Sequence, residues 1–329
     1  MRPRLRVTLA VAAAAIAAAG ATVGVTLAQS DKASSPVAGA AATSKPLEGD
    51  PPLVLELGVR EDREAVALRK GSALLDKGDR VGAAKVFLDW HSLDAQVAQI
   101  IAQWSPDAGL RGLQALSLEH PESGLVQLHL GLGLVWVGQI GAAEKAWKAA
   151  WTKDPDSPYA IHAVDLLHPD TPRGIPAFVP SFPEPAGLAG LSPAKQLAFL
   201  KREAEQKGTW QARVAYGVEL ERLSMRVSAE RQMALAAAAA PDNPEALAAA
   251  AFARFDKEAP TRAFSQLGPL AQRFPKAATI RYHLGILLLW MGDVKASRVQ
   301  LQKAVATGPA SATVVGAAKA VLAELAKIK

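Results

Sequence analysis

The sequence contains one long internal duplication, and no other feature restricts the possible folds as strongly. The stretch 126–138 aligns with 280–292 at a fixed spacing of 154 residues. Identical pairs in and after this stretch include His129/His283, Gly131/Gly285, Trp136/Trp290, Gly138/Gly292, Ala142/Ala296, Ala150/Ala304 and Pro155/Pro309. So many matches in one register predict two related halves.

A shorter period of 34 residues runs inside each half. It separates Pro121 from Pro155, and it also spaces Pro241, Pro275 and Pro309. A period of this length is typical of repeat proteins in which each unit is one supersecondary structure. One such unit cannot bury its apolar face alone, so the units are expected to stack in series.

The composition favours helices. Hydrophobic residues make up 50% of the 329 residues, only 5% are aromatic, and Ala and Leu dominate. No useful window shows the alternation of apolar and polar residues that marks a half-buried strand. The predicted fold class is therefore all-α.

The 34-residue units resemble the tetratricopeptide repeat, whose pattern includes Leu-Gly, a later small residue with a bulky one four positions on, and a closing Pro. Two units match well: Leu130-Gly131, Ala143, Trp147 and Pro155 in the first, and Leu284-Gly285, Ser297, Leu301 and Pro309 in the second. Weaker copies lie around 71–87 and 216–241, and 91–123 and 244–277 are recognised mainly by register. The resemblance covers about residues 56–160 and 210–328.

The resemblance implies an all-α, helical-repeat (TPR-like) solenoid in two halves of about three repeats each. Each half is expected to finish with a closing helix, roughly Tyr159–Leu167 and Ala312–Ile328. Small residues such as Gly131 and Ala143 would let the two helices of a unit cross closely. The N-terminal half is assigned to residues 54–167 and the C-terminal half to 192–329.

The N-terminus has the pattern of a targeting segment. Arg2, Arg4 and Arg6 precede an uncharged run over 7–28. The run is long enough to span a membrane, with the arginines on the cytoplasmic side. It also fits a cleaved signal peptide, so 1–28 is a signal anchor or a signal peptide, and both place the rest of the chain outside the cytoplasm. Small polar residues over 29–53 predict a disordered tether.

A Pro-rich linker over 168–191 joins the halves. Its density of Pro forbids helix and favours an extended chain. Ile175, Phe178, Val179 and Phe182 lie between the prolines, and a purely flexible linker would not need such apolar residues. We expect this segment to lie against the first helices of one or both halves. A helix should then run from Ser192-Pro193 to about Gln206.

Tetratricopeptide proteins bind extended peptides in the groove lined by the first helix of each unit, and the resemblance implies such a groove here. The candidate groove residues are Leu128, Leu132, Val135, Trp136, Tyr282, Ile286, Leu289 and Trp290. All are apolar or aromatic, although a groove helix should have one wet face. Either a partner or a neighbouring segment of the chain is expected to cover them.

Several classes of function find no support in the sequence. The chain has no Cys, no nucleophile elbow, no Gly-rich phosphate loop and no HExxH, so no catalytic, cofactor or metal site is predicted. The equivalent His129 and His283 have no second ligand type nearby and are interpreted as packing or capping residues. Outside the N-terminal arginines the charge is nearly balanced, which argues against a nucleic-acid partner. No small-molecule substrate is evident.

The predicted function is a non-catalytic, membrane-tethered or exported scaffold that binds a protein or peptide. Its contact with the membrane would be made through residues 7–28. The alternative is a structural subunit of a larger membrane or envelope assembly complex, of the secretion or cytochrome-assembly type. The identity of the partner is not encoded in any motif.

Overall fold

A computed structural model describes residues 46–309 and 312–327. Within these ranges the chain forms fifteen helices and no strand. The predicted targeting segment 1–28 and most of the predicted tether lie outside the described residues. Among the helices described, none combines the length and the apolar character needed to cross a bilayer.

The N-terminal half contains three helix pairs and a closing helix. The bounds are α1 Arg63–Asp76, α2 Arg80–Leu88, α3 Leu93–Ala102, α4 Pro106–Glu119, α5 Gly124–Trp136, α6 Ile140–Lys153 and α7 Pro158–Leu167. The pairs are α1/α2, α3/α4 and α5/α6, as the repeat pattern predicts.

The C-terminal half repeats this plan after one additional helix. The bounds are α8 Pro193–Lys207, α9 Trp210–Arg222, α10 Arg226–Ala239, α11 Pro244–Phe252, α12 Thr261–Arg273, α13 Ala278–Trp290, α14 Val294–Thr307 and α15 Thr313–Ala326. Helices α13 and α14 have the bounds of α5 and α6 shifted by 154 residues, so the duplication seen in the sequence is a duplication of structure.

Local signals explain where these helices begin and end. The hydroxyl groups of Ser123 and Ser157 accept hydrogen bonds from backbone N–H groups in the first turns of α5 and α7. Gly138 and Gly292 follow the first helices of equivalent units with φ of +81° and +80°. That left-handed conformation reverses the chain direction after the helix, and Gly adopts it without steric cost.

The helices form two layers. Each first helix packs on the second helix of its own unit, and it also contacts the first helix of the next unit, as α5 does with α7 and α13 with α15. The first helices thereby line one continuous face within each half. The described part of the chain is a helical-repeat solenoid, which confirms the predicted fold class.

The close crossing inside a unit depends on a missing side chain. A Cβ atom on Gly131 would overlap the indole of Trp147, and the indole N–H donates to the carbonyl of Leu128 at 3.3 Å. In the second half, a Cβ atom on Gly285 would lie 2.9 Å from Cγ of Leu301. The small residues of the repeat pattern therefore make room for the bulky residues of the paired helix.

The two halves are joined by buried polar contacts around the linker. The ammonium of Lys257, just after α11, pairs with Asp165 of α7 and donates to the carbonyl of Pro172 at 2.5 Å. Asp165 also accepts a hydrogen bond from the Gly174 N–H at 2.8 Å. Since the Lys257 side chain is 1% exposed, loss of its carboxylate partner would leave a buried charge unpaired.

A second set of contacts brings α10 against the end of the N-terminal half. Asp156 accepts hydrogen bonds from the backbone N–H and the hydroxyl of Ser228 at 2.8 and 2.5 Å. The guanidinium of Arg226 lies 4.4 Å from the ring centroid of Trp151. The halves therefore contact each other directly.

We predict that Gly131→Ala destabilises the protein by about 1–3 kcal/mol, because the added methyl group must displace the Trp147 indole. Gly141→Ala is the matched control, since Gly141 is exposed in α6 and a Cβ atom there meets no atom within 4 Å. The control should be at least as stable as wild type, because Ala at this exposed first-turn position meets no steric obstacle and orders less backbone on folding than Gly. Urea unfolding followed by circular dichroism measures both, and equal stabilities of the two variants would contradict the packing described.

Candidate functional site

The chain itself covers the predicted groove residues. Seven of the eight are buried, namely Leu128, Leu132, Val135, Tyr282, Ile286, Leu289 and Trp290, and Trp136 is half-buried. They lie on α5 and α13, in the faces formed by the first helices. Their role in binding another polypeptide stays a prediction, and the groove is first of all a site for segments of this chain.

The Pro-rich linker occupies the groove of the C-terminal half. Phe178 is 1% exposed, and its ring stacks on the imidazole of His283 with 3.9 Å between centroids. Its edge also meets the ring of Phe252 on α11. Phe182 is only partly buried and packs edge-on against Trp210 at the start of α9. The expected docking of the linker is found in this half.

Backbone N–H groups of the linker are bound by side chains of three first helices. The Phe178 N–H donates to the carboxyl group of Glu221 at 2.7 Å, and the Val179 N–H donates to Nε2 of His283 at 2.9 Å. The Ser181 N–H and hydroxyl both bind the Glu245 carboxyl group. An extended segment has no partner strand for its backbone, and these side chains satisfy its donors instead.

In His283, the hydrogen bond made by Nδ1 determines whether Nε2 donates or accepts. Nδ1 of His283 lies 2.7 Å from the carbonyl of Thr279, one turn back on α13. A carbonyl only accepts, so Nδ1 carries the proton and Nε2 is free to accept the Val179 N–H. Burial lowers the pKa of His283 to about 3, which keeps the ring neutral at ordinary pH.

A different segment occupies the groove of the N-terminal half. The Leu47 N–H donates to the carbonyl of Trp136 at 2.9 Å. Further along, the Val54 N–H donates to Nε2 of His129 at 3.0 Å, and the Glu56 N–H donates to the hydroxyl of Tyr159 at 3.2 Å. Nδ1 of His129 donates to the Leu125 carbonyl at 2.8 Å, and burial lowers the pKa of His129 to about 4.

The predicted tether therefore does not extend through residue 53. Pro51 is buried, and Leu53 packs against the apolar clusters of the N-terminal half together with Val54 and Leu55. The composition of this stretch suggested flexibility, but its apolar residues lie opposite the apolar faces of α3 and α5. Burying them removes both surfaces from water.

The two bound segments share a seven-residue pattern. We call Pro51–Leu57 the first strap and Pro176–Phe182 the second strap. Both read Pro-x-Φ-Val-x-x-Φ, where Φ is Leu or Phe. In both, the Val N–H binds the equivalent histidine, and the N–H two residues later binds a side chain of a neighbouring first helix.

The straps also run in the same direction. The chain passes from the C-terminal ends of the first helices, near Trp136 and Glu221, toward their N-terminal ends, near Tyr159 and Trp210. Each strap is thus antiparallel to the helices that hold it. The two halves bind two different segments of this chain in one common mode.

The paired helices, stacked unit on unit, define the architecture. The described part of the chain has a tetratricopeptide-like fold. A scan of family models finds no match, and a search of curated proteins finds none either. A search of solved structures finds the crystal structure of a tetratricopeptide repeat protein from Parabacteroides merdae, at 13% identity over 80% of this chain and 98% of that chain, with a TM-score of 0.33. At that similarity, the assignment rests on the paired helices and their repeat contacts.

Sequence reasoning missed several residues of this site. It interpreted His129 and His283 as packing or capping residues, whereas each also binds a strap through Nε2. It gave no role to Tyr159, Glu221 or Glu245, which come from different positions of the repeat. The recoverable signal was the strap pattern itself, because Pro and Val recur at the same spacing in two segments that precede related halves.

The buried carboxyl group of Glu221 gives the second strap a dependence on pH. Burial raises the pKa of Glu221 from 4.5 to about 8, although the Phe178 N–H opposes that rise. The folded protein therefore holds a proton that the unfolded chain releases above about pH 4.5. The contribution to stability is fully present below that pH and is lost as the pH rises through about 8.

We predict that Glu221→Gln, which keeps an acceptor for the Phe178 N–H, removes this loss. Its free energy of unfolding relative to wild type should increase between pH 5 and pH 8, by on the order of a few kcal/mol. Wild type and the variant contain the same histidines, so the difference between their free energies of unfolding at each pH does not include the titration of His129 and His283. Glu219→Gln, which removes a carboxylate paired with Arg222 at 3.3 Å, is the control. Parallel pH profiles for wild type and Glu221→Gln would contradict the assignment.

Proposed function

We propose that this protein is a non-catalytic scaffold whose grooves bind extended polypeptide segments. One observation carries the proposal: each groove already holds such a segment through side-chain acceptors for alternate backbone N–H groups. The acceptors are His129 and Tyr159 in the first half, and His283 and Glu245 in the second.

This arrangement suits the recognition of a main chain. Backbone N–H groups occur in every polypeptide, so acceptors that match their spacing provide affinity without selecting side chains. Selectivity comes from the places where Pro, Leu, Phe and Val of the straps are buried. A surface of this kind binds and positions a chain, and that is the work of a scaffold.

We further propose that the scaffold works outside the cytoplasm. The supporting observation is the N-terminal sequence, in which three arginines precede an uncharged run over 7–28. As a signal anchor this run would hold the repeats at a membrane surface, and as a cleaved signal it would release them. In either case the repeats, which begin at α1, are on the far side of the membrane.

We predict that a reporter fused after Lys329 is active in its extracytoplasmic form. Alkaline phosphatase, which needs an oxidising compartment, should be active there, and a cytoplasmic fluorescent reporter at the same position should not be. Replacing Arg2, Arg4 and Arg6 together by Glu is the control, since it removes the charge bias that orients the segment. Activity of the cytoplasmic reporter alone would refute the location.

We predict that a photo-reactive amino acid at position 136 forms an adduct with another polypeptide in cells. Trp136 is half-buried on α5, and its carbonyl binds the Leu47 N–H just before the first strap, so this position reports on the groove. The same amino acid at position 81, where Val81 is 68% exposed on α2, reports on a different surface. Adducts at 136 and not at 81 are the expected result.

The reverse pattern would favour a second candidate, a permanent structural subunit of an envelope complex. The supporting observation for that candidate is the exposure of Val66, Val81 and Leu88 on α1 and α2. Val81 and Leu88 are seven residues apart and therefore lie on one face of α2. Adjacent exposed apolar side chains are typical of surfaces that pack against a partner. Adducts at position 81 alone would therefore identify this surface, and not the groove, as the site that binds a partner.

A further inference from the structure

The two straps are held with different firmness. The second strap is part of the linker, so the chain attaches it at both ends, and the contacts of Pro172 and Gly174 fix its entry. Its Phe178 and Val179 are 1% and 5% exposed. In the first strap the equivalent Leu53 and Val54 are only partly buried. Side chains of the described residues bind two of its backbone N–H groups, against three in the second strap. Its entry is held by Leu47, bound to Trp136, and by Asp50, which pairs with the partly exposed Arg80.

We propose that the N-terminal groove is an exchangeable site, in which the first strap is a built-in competitor for a segment of another polypeptide. The incoming segment has the strap pattern Pro-x-Φ-Val-x-x-Φ and binds in the same direction. This rests on the proposed function and adds to it the ligand class and the way in which access is controlled. The second strap stays in place as a fixed part of the fold.

The pattern follows from what its positions do in both grooves. The Pro is buried in each strap, and the Φ that follows two residues later packs against the first helices. The Val presents its N–H to the histidine, and the last Φ, Leu57 or Phe182, packs at the far end. The two segments have unrelated flanking sequences but share this pattern. The groove, and not the surrounding sequence, therefore determines which residues are needed at each position.

The sixth position distinguishes the two grooves. In the first strap this residue is Glu56, whose carboxyl group lies 2.6 Å from Nε2 of His162. In the second strap it is Ser181, whose hydroxyl binds Glu245. An incoming segment for the N-terminal groove therefore carries an acidic residue here, and one with Ser fits the other groove better.

Covalent attachment explains how the site is kept closed. A tethered segment competes with an effective concentration of about millimolar, so an external peptide of equal intrinsic affinity binds weakly while the strap is intact. Weakening the strap raises the fraction of molecules in which the groove is open. The apparent affinity for the peptide should rise by the same factor as that fraction. This relation makes the proposal measurable on the full chain.

The test uses the strap variant Val54→Pro, which removes the N–H that binds His129. A fluorescent peptide with the sequence of residues 51–58 is titrated with the full chain, and its anisotropy gives the apparent Kd. Val54→Pro should bind about tenfold more tightly than wild type, the factor expected when one partly buried hydrogen bond of about 1.4 kcal/mol is lost from the competitor.

Leu55→Pro is the matched control. Pro180 occupies the equivalent position of the second strap, and the Leu55 N–H makes no hydrogen bond among the described residues. This variant introduces the same residue one position away and should bind the peptide like wild type. A tightening equal to that of Val54→Pro would show that any disturbance of the strap suffices, and would overturn the role of the Val N–H.

Two further variants test whether the groove reads the peptide in the proposed way. In the Val54→Pro chain, His129→Leu should abolish the gain in affinity and His129→Gln should retain much of it, because Gln keeps an acceptor near the position of Nε2. A peptide methylated on the Val nitrogen should bind about tenfold more weakly. Equal binding of methylated and unmethylated peptides would mean apolar adhesion only and would overturn the proposal.

The outcomes separate this inference from the proposed function. If position 136 cross-links to another polypeptide but Val54→Pro, shown to be folded by its thermal melt, gains no affinity for the peptide, the scaffold stands and the exchange is wrong. If neither is observed, both fail. Light scattering of both proteins tests a second copy as the occupant. A dimer of wild type that is absent in Val54→Pro would show that the strap binds the groove of a second copy, and would overturn exchange with a foreign segment.

Discussion

A neutral histidine in the first helix of one repeat is the contact on which each half of the structure depends. Its Nδ1 is tied to a carbonyl of its own helix, and burial keeps it uncharged, so Nε2 can accept a backbone N–H of the strap. Without that acceptor an extended segment would bury a donor unpaired. Without the segment, the apolar faces of the first helices would be open to water.

The helices were predictable because their signals are local. Three kinds of signal act within one turn or one unit: the repeat register, the helix-ending Gly138 and Gly292, and the Pro residues after second helices. Each half accordingly has three pairs and a closing helix. The close crossing of helices at Gly131 was predictable for the same reason, since the small residue belongs to a unit with a known pattern, whereas its contact with Trp147 was not predicted. The prediction of helix α8 from Ser192-Pro193 to about Gln206 was also correct.

The site was not predictable to the same degree because its contacts are distant in the chain. Val54 and His129 are 75 residues apart, and Val179 and His283 are 104 apart. Which side chains meet a strap depends on how first helices from successive units converge, so Tyr159 serves in one groove and Glu245 in the other. The prediction that the linker docks was correct because Pro and apolar residues lie close together there, and residues 51–57 carry the same signal.

The unequal distances from strap to histidine show what the common mode of binding does not require. The second interval is longer by the length of one helix with its loops, and α8 lies in it with no counterpart between Val54 and His129. In spite of this difference, the Val N–H of each strap meets the equivalent histidine at nearly the same distance. The length of chain between a strap and its groove can therefore vary without changing how the strap is held, so a strap and its groove need not be close in sequence to fit each other.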